Sequence, residues 1–491
     1  MLLEEYQFGQ ANAETEYLLT PVIFEKAFFD SRNIVDKLVN GYQFMLIGRK
    51  GVGKSAFSAR IMSLANTEDN IIAEQINLNE FDFSTFSKTN VSDEIEGTRR
   101  YKTSWDFVLL LSIYKLLYRN LKIIEVKEIN DTIRFLETIG FSVKKELKKN
   151  ISLLTKIKLG FSLKSLDCEI ENELDEKPID FLERITLINE NMQDSLKNLY
   201  LNDKKLMLLI DGLDDILRFN KDQIEILSSL VRSSEYLNKE FIKNKIPIKI
   251  IIFIREDIMN LITDPDFNKI KRDGGIALNW YNRSDDLKDI VELRAKLSGV
   301  SEENIKNWWF SIFPKKINRK DSWNYVLDHT LGKPRDILQF MITCINLFPN
   351  NTTLTHSEVR VCLKDYSTDY FLNEMRNELA GFVDDSIINT LPSVLRRLGG
   401  RNFKLKVFHE VFQEQLTSNK AITIEDVKYL LVLLFEAGYI GQLMPTQNYV
   451  KGKMRKRTNV IFKYRNPSST VDYKESFIIH KGLFNALDIR M

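Results

Sequence analysis

Short apolar runs recur along the first 280 residues of the chain, and stretches with helical periodicity separate them. Such runs are typical of buried strands, and strands that alternate with helices form a mostly parallel sheet. The runs that we expect to form this sheet are Phe44–Ile47, Ile71–Leu78, Leu206–Ile210, Ile248–Ile254 and Ile276–Trp280. The pattern therefore predicts an α/β fold.

A long interval, about residues 85–200, separates the second run from the third, and we interpret it as an insertion. Its first predicted helix, Trp105–Asn120, is apolar on most sides and is therefore expected to be buried. Lysine-rich helical segments at about 122–156 and a short β-like segment at Leu159–Leu166 follow.

After residue 285 the chain continues with helical patterns alone, at Asp285–Leu297, Glu302–Phe313 and Asp336–Phe348. The last part, about 376–491, has two further helical patterns and then strand candidates, an order that is typical of a winged helix. These helices are Lys406–Leu416 and Ile424–Ala437, and the strand candidates are Tyr439–Met444, Val460–Tyr464 and Ser476–Ile479.

The first apolar run leads into a glycine-rich segment that ends in Lys54 and Ser55. A strand, the pattern G-x-x-x-x-G-K-S and a helix together predict a phosphate-binding P-loop. Backbone N–H groups and the helix N-terminus would bind the phosphates of ATP, and Lys54 would reach the β- and γ-phosphates. The residues expected to contact the nucleotide are Gly48, Arg49, Lys50, Gly51, Val52, Gly53, Lys54, Ser55 and Ala56.

Carboxylates follow the apolar run Leu206–Ile210, at the edge of the sheet where ligands of α/β folds bind. Asp211 directly follows the run and, with Ser55, is the candidate to hold Mg²⁺. Asp214 and Asp215 are the candidates for the base that orients the attacking water, and the choice between them stays open.

Two arginines are candidates for sensing the nucleotide. Arg255 follows the fourth run and could contact the γ-phosphate, or it could pair with Glu256 or Asp257. Arg335 belongs to a Gly-Lys-Pro-Arg sequence at a predicted helix start, where proline is favoured. It would bind the nucleotide from the helical region, or it would simply be a paired arginine at a helix start.

These motifs together resemble the AAA+/STAND branch of P-loop ATPases. Phe8-Gly9, Ala13-Glu14, the turn at 254–258 and Trp280 further resemble a bacterial family often encoded among anti-phage defence genes. The resemblance implies a homo-oligomeric switch or motor that uses ATP and Mg²⁺. The predicted domains are a P-loop ATPase domain at 1–284 with the insertion at about 85–200, a helical lid at 285–375 and a winged helix at 376–491.

The composition limits which classes of protein the chain can belong to. A chain of 491 residues with 44% hydrophobic and 28% charged residues is typical of a multidomain globular protein. Cys168, Cys344 and Cys362 lack the spacing of a disulfide framework or a zinc site and predict reduced thiols in the cytoplasm. The chain has no run of about eighteen apolar residues and no signal-peptide pattern, so we expect no membrane segment.

A net charge of +2 means that a nucleic-acid partner must be argued from local basic clusters. One cluster lies between two strand candidates, where a wing would be, and another precedes a helix. The residues that would contact double-stranded DNA are Arg396, Arg397, Lys451, Lys453, Arg455, Lys456 and Arg457. Alternatively, the winged helix docks a protein or forms oligomers.

Two functions are compatible with the sequence. The first is an ATPase that couples its nucleotide state to DNA or other nucleic acid, in phage defence or genome maintenance. The second is a STAND-type switch that controls a separate effector protein, with slow ATP turnover and no nucleic-acid contact. The aspartates at the base position favour slow turnover, because aspartate is one methylene shorter than the usual glutamate. The basic wing favours DNA.

Overall fold

The structure is a computed structural model that describes residues 1–90, 100–120, 126–158, 181–212, 221–262, 265–281, 283–416, 422–450 and 453–490. Within these residues, contacts divide the chain into two compact units. The sheet unit consists of Asp30–Lys50 and Lys54–Leu278, and the helical unit consists of Met1–Phe29, Gly51–Gly53 and Asn279–Met491. The predicted domain boundaries near 284 and 375 stay predictions.

The sheet unit is built on a parallel sheet. Among the described residues it has five strands, in the order β2-β3-β4-β1-β5. They are β1 (Met45–Gly48), β2 (Ile71–Asn77), β3 (Lys205–Asp211), β4 (Ile248–Arg255) and β5 (Gly275–Leu278). Each predicted run forms a strand, so the α/β prediction is confirmed. The run of isoleucines in β4 is fully buried, as expected for a parallel sheet that helices cover on both faces.

The register of the sheet brings strand ends from distant parts of the chain to one edge. Gly48 of β1 pairs with Arg255 of β4, and Asp211 of β3 pairs with Asn77 of β2. Strand β4 lies between β1 and β3, so Arg255 lies on the strand between Gly48 and Asp211. Because the strands are parallel, this carboxyl edge is where a ligand is expected.

Helices of the sheet unit provide most of its core. The helix Lys102–Asn120 begins three residues before the predicted start, and its buried faces confirm that it is a core helix. Trp105 stacks on Phe81 and donates its indole N–H to the carbonyl of Ile226, over 2.8 Å. The helices are Ile34–Val39, Lys54–Thr67, Phe83–Phe86, Lys102–Asn120, Lys127–Thr138, Leu147–Lys158, Phe181–Leu196, Lys221–Lys243, Glu256–Leu261 and Pro265–Gly274. The β-like segment at 159–166 lies outside the described residues.

The helical unit begins its C-terminal part with Ser284–Leu297. The single helix predicted at Glu302–Phe313 is wrong, because the structure has two short helices, Glu302–Ile305 and Trp308–Ile312. Trp308 and Trp309 are nevertheless fully buried in the core of this unit. The other helices before residue 380 are Ala13–Leu19, Pro21–Ala27, Ser322–Leu327, Pro334–Leu347, His356–Asp365 and Leu372–Leu379, with a π-helical turn at Tyr366–Phe371 and a short hairpin of β6 (Lys316–Ile317) and β7 (Lys320–Asp321).

The C-terminal part has the element order of the predicted winged helix. Its helices are Asp385–Leu398, Leu405–Gln415 and Ile424–Ala437. They are followed, in the described residues, by a three-stranded antiparallel sheet of β8 (Ile440–Val450), β9 (Lys453–Ile461) and β10 (Ser476–Ile479), in the order β10-β8-β9. The hairpin of β8 and β9 is longer than predicted, because cross-strand pairing extends into polar sequence that lacks apolar alternation.

A buried ion pair attaches the N-terminal segment to the rest of the helical unit. The guanidinium of Arg294 binds both carboxylate oxygens of Glu16, at 2.5 and 2.8 Å, and donates to the Phe8 carbonyl at 2.6 Å. Gly9 has a φ of +67°, and a Cβ there would lie 1.6 Å from the Glu16 carboxylate. These contacts explain why the first residues group with the helical unit.

Among the helices of the described residues, none combines the length and the apolar character that crossing a membrane requires.

Lys249 in β4 predicts how stability depends on pH. Burial, with a smaller contribution from nearby Lys205, lowers the pKa of Lys249 to about 8. Its ammonium group donates to the Gly41 carbonyl over 2.6 Å. Because the unfolded lysine keeps a pKa of about 10.4, the unfolded state binds more protons between these values. The contribution of Lys249 to stability therefore rises as the pH rises from about 8 to about 10.

We expect Lys249→Met to raise the free energy of unfolding at pH 7 by on the order of 1–2 kcal/mol, because it removes the cost of a partly buried charge. This gain should shrink as the pH approaches 10. Urea unfolding at several pH values measures the gain in stability and its dependence on pH. Lys243→Met, at an exposed position, is the matched control. A gain that is the same at pH 7 and pH 10 would contradict the assignment.

Candidate nucleotide-binding site

The predicted P-loop connects β1 to the helix Lys54–Thr67. Gly51 and Gly53 have φ angles of +78° and +103°, which favour glycine. A Cβ built on Gly53 would meet no described atom within 4 Å, so open space lies beside this turn of the loop. The strand, the loop and the helix on a parallel sheet of this order form the P-loop NTPase fold, as the sequence predicted.

Lys54 places a positive charge at the start of the helix. Its side chain is buried, with 6% of its surface exposed, and its ammonium group donates to the Arg49 carbonyl over 3.2 Å. The N-terminus of a helix is itself positive, so the helix end and the Lys54 ammonium add to the same positive potential. Together with the backbone N–H groups of the loop, this potential suits a phosphate.

Asp211 ends β3 in a buried position. Its Oδ1 accepts the N–H of Gly212 over 2.8 Å. Gly212 has a φ of +81°, and a Cβ there would lie 2.0 Å from Oδ1 of Asn77. Glycine is therefore required where the chain leaves the strand. Asp214 and Asp215 lie outside the described residues, so the assignment of the base stays a prediction.

The candidate metal ligands have the chemistry that Mg²⁺ prefers. A serine hydroxyl and an aspartate carboxylate are hard oxygen donors, and Mg²⁺ in such sites takes its other ligands from phosphates and water. The helix that carries Ser55 packs against the strand that carries Asp211. Within the described ranges, no group of three or more His, Cys, Asp or Glu side chains could hold a metal ion. As hard oxygen donors, Ser55 and Asp211 fit a Mg²⁺ that the nucleotide brings with it.

Arg255 makes the ion pair that the sequence offered as the alternative to phosphate sensing. Its Nε donates to Oδ1 of Asp257 at 3.0 Å, and its Nη2 donates to Oδ2 at 2.6 Å. Such two-pronged pairs are strong and directional. The guanidinium lies at the carboxyl edge, so its role as a sensor stays a prediction.

Arg335 lies beside the tip of the P-loop within the helical unit. A Cβ on Gly51 would be 3.3 Å from Cδ of Lys333 and 3.8 Å from Cβ of Arg335. The next residue, Asp336, accepts the N–H of Leu331 at 2.8 Å, and this bond fixes the turn before the helix. Burial raises the pKa of Asp336, although the nearby charge of Lys333 opposes this shift.

The sequence assigned no contact at the loop to three residues around it. Asn77 ends β2 next to Asp211, a Cβ on Gly51 would lie 3.3 Å from Cδ of Lys333, and the indole N–H of Trp280 donates to the Val52 carbonyl at 2.8 Å. A systematic inspection of the polar residue that ends each predicted strand would have found Asn77. Nothing in the sequence pattern predicts the contact of Trp280.

The structure describes only part of the predicted DNA-binding set. Arg396 donates to the Leu487 carbonyl at 3.1 Å, and Arg397 lies 3.7 Å from Glu414. Both arginine side chains stay more than half exposed. Lys453, Arg455, Lys456 and Arg457 belong to β9, and Lys451 lies outside the described residues.

Comparison with known proteins gives one family match and one curated relative. Residues 285–373 match the family described as the FunZ-associated C-terminal helical domain. The putative transposon gamma-delta 80.3 kDa protein of Escherichia coli (strain K12) is 23% identical over 345 residues. The alignment covers 68% of this chain and 46% of that protein, so the chain spans less than half of the relative's length.

Two solved structures are similar to the chain at 12% identity. For Cdc6p from Pyrobaculum aerophilum, the match covers 96% of this chain and 99% of that one, with a TM-score of 0.32. For the ORC2 protein of Aeropyrum pernix, in ADPNP–ADP complexes, it covers 95% and 96%, with a TM-score of 0.41. The fold assignment above comes from the strand order and the P-loop themselves.

We expect Gly212→Ala to lower the free energy of unfolding by about 1–3 kcal/mol, since the new Cβ would be both strained and in contact with Asn77. Gly299→Ala is the control, because Gly299 also has a positive φ but a Cβ there meets no described atom within 4 Å. Both variants place alanine at a positive φ, but only Gly212→Ala also brings a Cβ against Asn77. The free energies of unfolding of the two variants, measured by chemical unfolding, therefore separate backbone strain from steric collision. If both variants lost the same free energy of unfolding, the close approach of Asn77 to Gly212 would have no energetic cost.

Proposed function

We propose that this protein binds ATP with Mg²⁺ at the P-loop and hydrolyses it. The observation that carries the proposal is the buried Lys54 at the start of a helix, behind a loop with two left-handed glycines. The positive end of the helix and the Lys54 charge lie together at the carboxyl edge of a parallel sheet, where the ligands of such folds bind. An anion with several phosphate groups matches this arrangement.

The proposed roles follow from position. Lys54 contacts the β- and γ-phosphates, while Ser55 and Asp211 hold Mg²⁺, which neutralises phosphate charge. Asp214 or Asp215 orients the attacking water. Arg255 and Arg335 are the proposed contacts for the terminal phosphate, since Arg255 lies at the edge of the sheet and Arg335 lies beside Gly51.

We further propose that the nucleotide state is coupled to engagement of double-stranded DNA. The support comes from the hairpin of β8 and β9, a long two-stranded ribbon whose second strand carries Lys453, Arg455, Lys456 and Arg457. Basic residues along a strand can neutralise backbone phosphates, which supply most sequence-independent affinity. A role in phage defence or genome maintenance, assembly into a homo-oligomer and a cytoplasmic location rest on the sequence alone.

The alternative is a STAND-type switch that controls a separate effector protein. One observation favours it: Asp257 holds Arg255 in a two-pronged pair, and releasing this pair to turn the guanidinium toward a phosphate would be a conformational rearrangement. Such a rearrangement would slow turnover and would favour a long-lived ATP-bound state.

Lys54→Ala should reduce ATP hydrolysis by on the order of 100-fold or more, because it removes a positioned charge that the transition state needs. Steady-state phosphate release in the presence of Mg²⁺ measures this effect. Lys148→Ala removes an exposed lysine of the sheet unit and should leave the rate unchanged. If Lys54→Ala hydrolysed ATP at the parental rate, the assignment of the nucleotide site would be wrong.

For DNA, replacement of Lys453, Arg455 and Arg457 by alanine should reduce the slope of log affinity against log salt concentration by about 2 to 3. Fluorescence anisotropy with a labelled duplex measures this slope. The matched control replaces three exposed lysines of the helix Leu147–Lys158: Lys148, Lys149 and Lys156. Two outcomes would favour the switch. In the first, the β9 variant binds DNA as tightly as the parent does. In the second, the parent itself binds DNA too weakly to measure and DNA does not change its ATP turnover.

A further inference from the structure

Trp280 holds the tip of the P-loop by a single hydrogen bond. It follows β5 by two residues, and its indole N–H donates to the carbonyl of Val52 at 2.8 Å. The indole is only partly buried, and its ring lies against Phe29, with 6.4 Å between the ring centroids. Trp280, Val52 and Phe29 all belong to the helical unit.

The carbonyl that accepts this hydrogen bond belongs to a peptide group with a direct role in the loop. The C=O of Val52 and the N–H of Gly53 are part of one planar trans peptide, so they point in opposite directions. A donor that holds the carbonyl on one side therefore directs the Gly53 N–H to the other side. A Cβ on Gly53 would meet no described atom within 4 Å, so this peptide borders open space.

The peptide would otherwise be free to turn. Rotation of this peptide changes ψ of Val52 and φ of Gly53, and glycine accepts either sign of φ at little cost. Rotation of the Val52–Gly53 peptide would aim a carbonyl, rather than an N–H group, at a bound phosphate. An acceptor in that position would repel the anion that the loop is proposed to bind.

We propose that Trp280 is a positioning residue for nucleotide binding: its indole N–H fixes the Val52–Gly53 peptide so that the Gly53 N–H faces the phosphates. This inference rests on the proposed nucleotide binding and adds to it a residue outside the P-loop motif. Because loop N–H groups contact the phosphates that ATP and ADP share, the effect extends equally to both nucleotides.

The test is Trp280→Phe, which keeps an aromatic ring against Phe29 and removes the donor. The matched control is Trp309→Phe, since the Trp309 indole N–H also makes one hydrogen bond, to the Ser322 hydroxyl at 3.0 Å, deep in the core. Titration calorimetry with ATP and with ADP measures both variants, the parent and Lys54→Ala. Thermal unfolding of each variant shows that it is folded.

Trp280→Phe should raise the Kd of ATP and of ADP by the same factor, about threefold to tenfold, which is the effect of one hydrogen bond. The kcat at saturating ATP should stay at the parental value, while KM rises. Trp309→Phe should lower the melting temperature and leave both Kd values unchanged. Trp280→Tyr, which also lacks the indole donor, should repeat the result and serves if the phenylalanine variant does not fold.

Parental Kd values in a folded Trp280→Phe would overturn the positioning role, even while the parent binds ATP and Lys54→Ala does not. An equal rise of Kd in Trp309→Phe would also overturn it, because the effect would then reflect general destabilisation. If the parent binds neither nucleotide, the proposed function itself is wrong. The experiment thus separates failure of the inference from failure of the function.

Discussion

The burial of the Lys54 ammonium at the N-terminus of a helix is the constraint on which the rest of the site depends. Its side chain is almost fully removed from water, in a loop whose carbonyl at Arg49 accepts one of its hydrogen bonds. The positive end of the helix and the Lys54 charge act in the same place, and together they favour a negatively charged ligand. A multiply charged anion matches this potential, which is why we infer nucleotide binding from the loop.

The parallel sheet explains how distant sequence segments support this loop. Strand order places β4 between β1 and β3, and parallel register brings the ends of all of them to one edge. Asp211 and Arg255 thereby come to the same edge as Gly48, although more than 150 residues separate Gly48 from Asp211 in the chain. In the helical unit, Trp280 donates a hydrogen bond to the loop tip, and Lys333 and Arg335 lie near Gly51. The loop therefore takes its conformation from side chains as well as from its own glycines.

The strands and the P-loop were predictable because apolar runs and the glycine spacing are local signals. The ends of these elements were less predictable: β5 ends at Leu278, and Trp280 turns to the Val52 carbonyl instead of continuing the strand. The full length of the β8–β9 hairpin was not predicted, because cross-strand pairing and not apolar alternation holds its polar sequence. Contacts such as Asn77 with Gly212, or Glu16 with Arg294, join residues that are distant in the sequence, so no periodic pattern of the sequence predicts them. For Arg255, the sequence offered two roles, and the structure shows the ion pair with Asp257.

The most direct test of the central claim is the melting temperature of the unmodified protein in rising concentrations of ATP, ADP and adenosine, each with Mg²⁺. A ligand that binds the folded state stabilises it by about 2.7 kcal/mol at 100 times its Kd. We expect ATP and ADP to raise the melting temperature progressively, while adenosine, which lacks phosphates, leaves it unchanged. An equal rise with adenosine, or no rise with millimolar ATP, would contradict the claim that the buried lysine and its loop form a phosphate site.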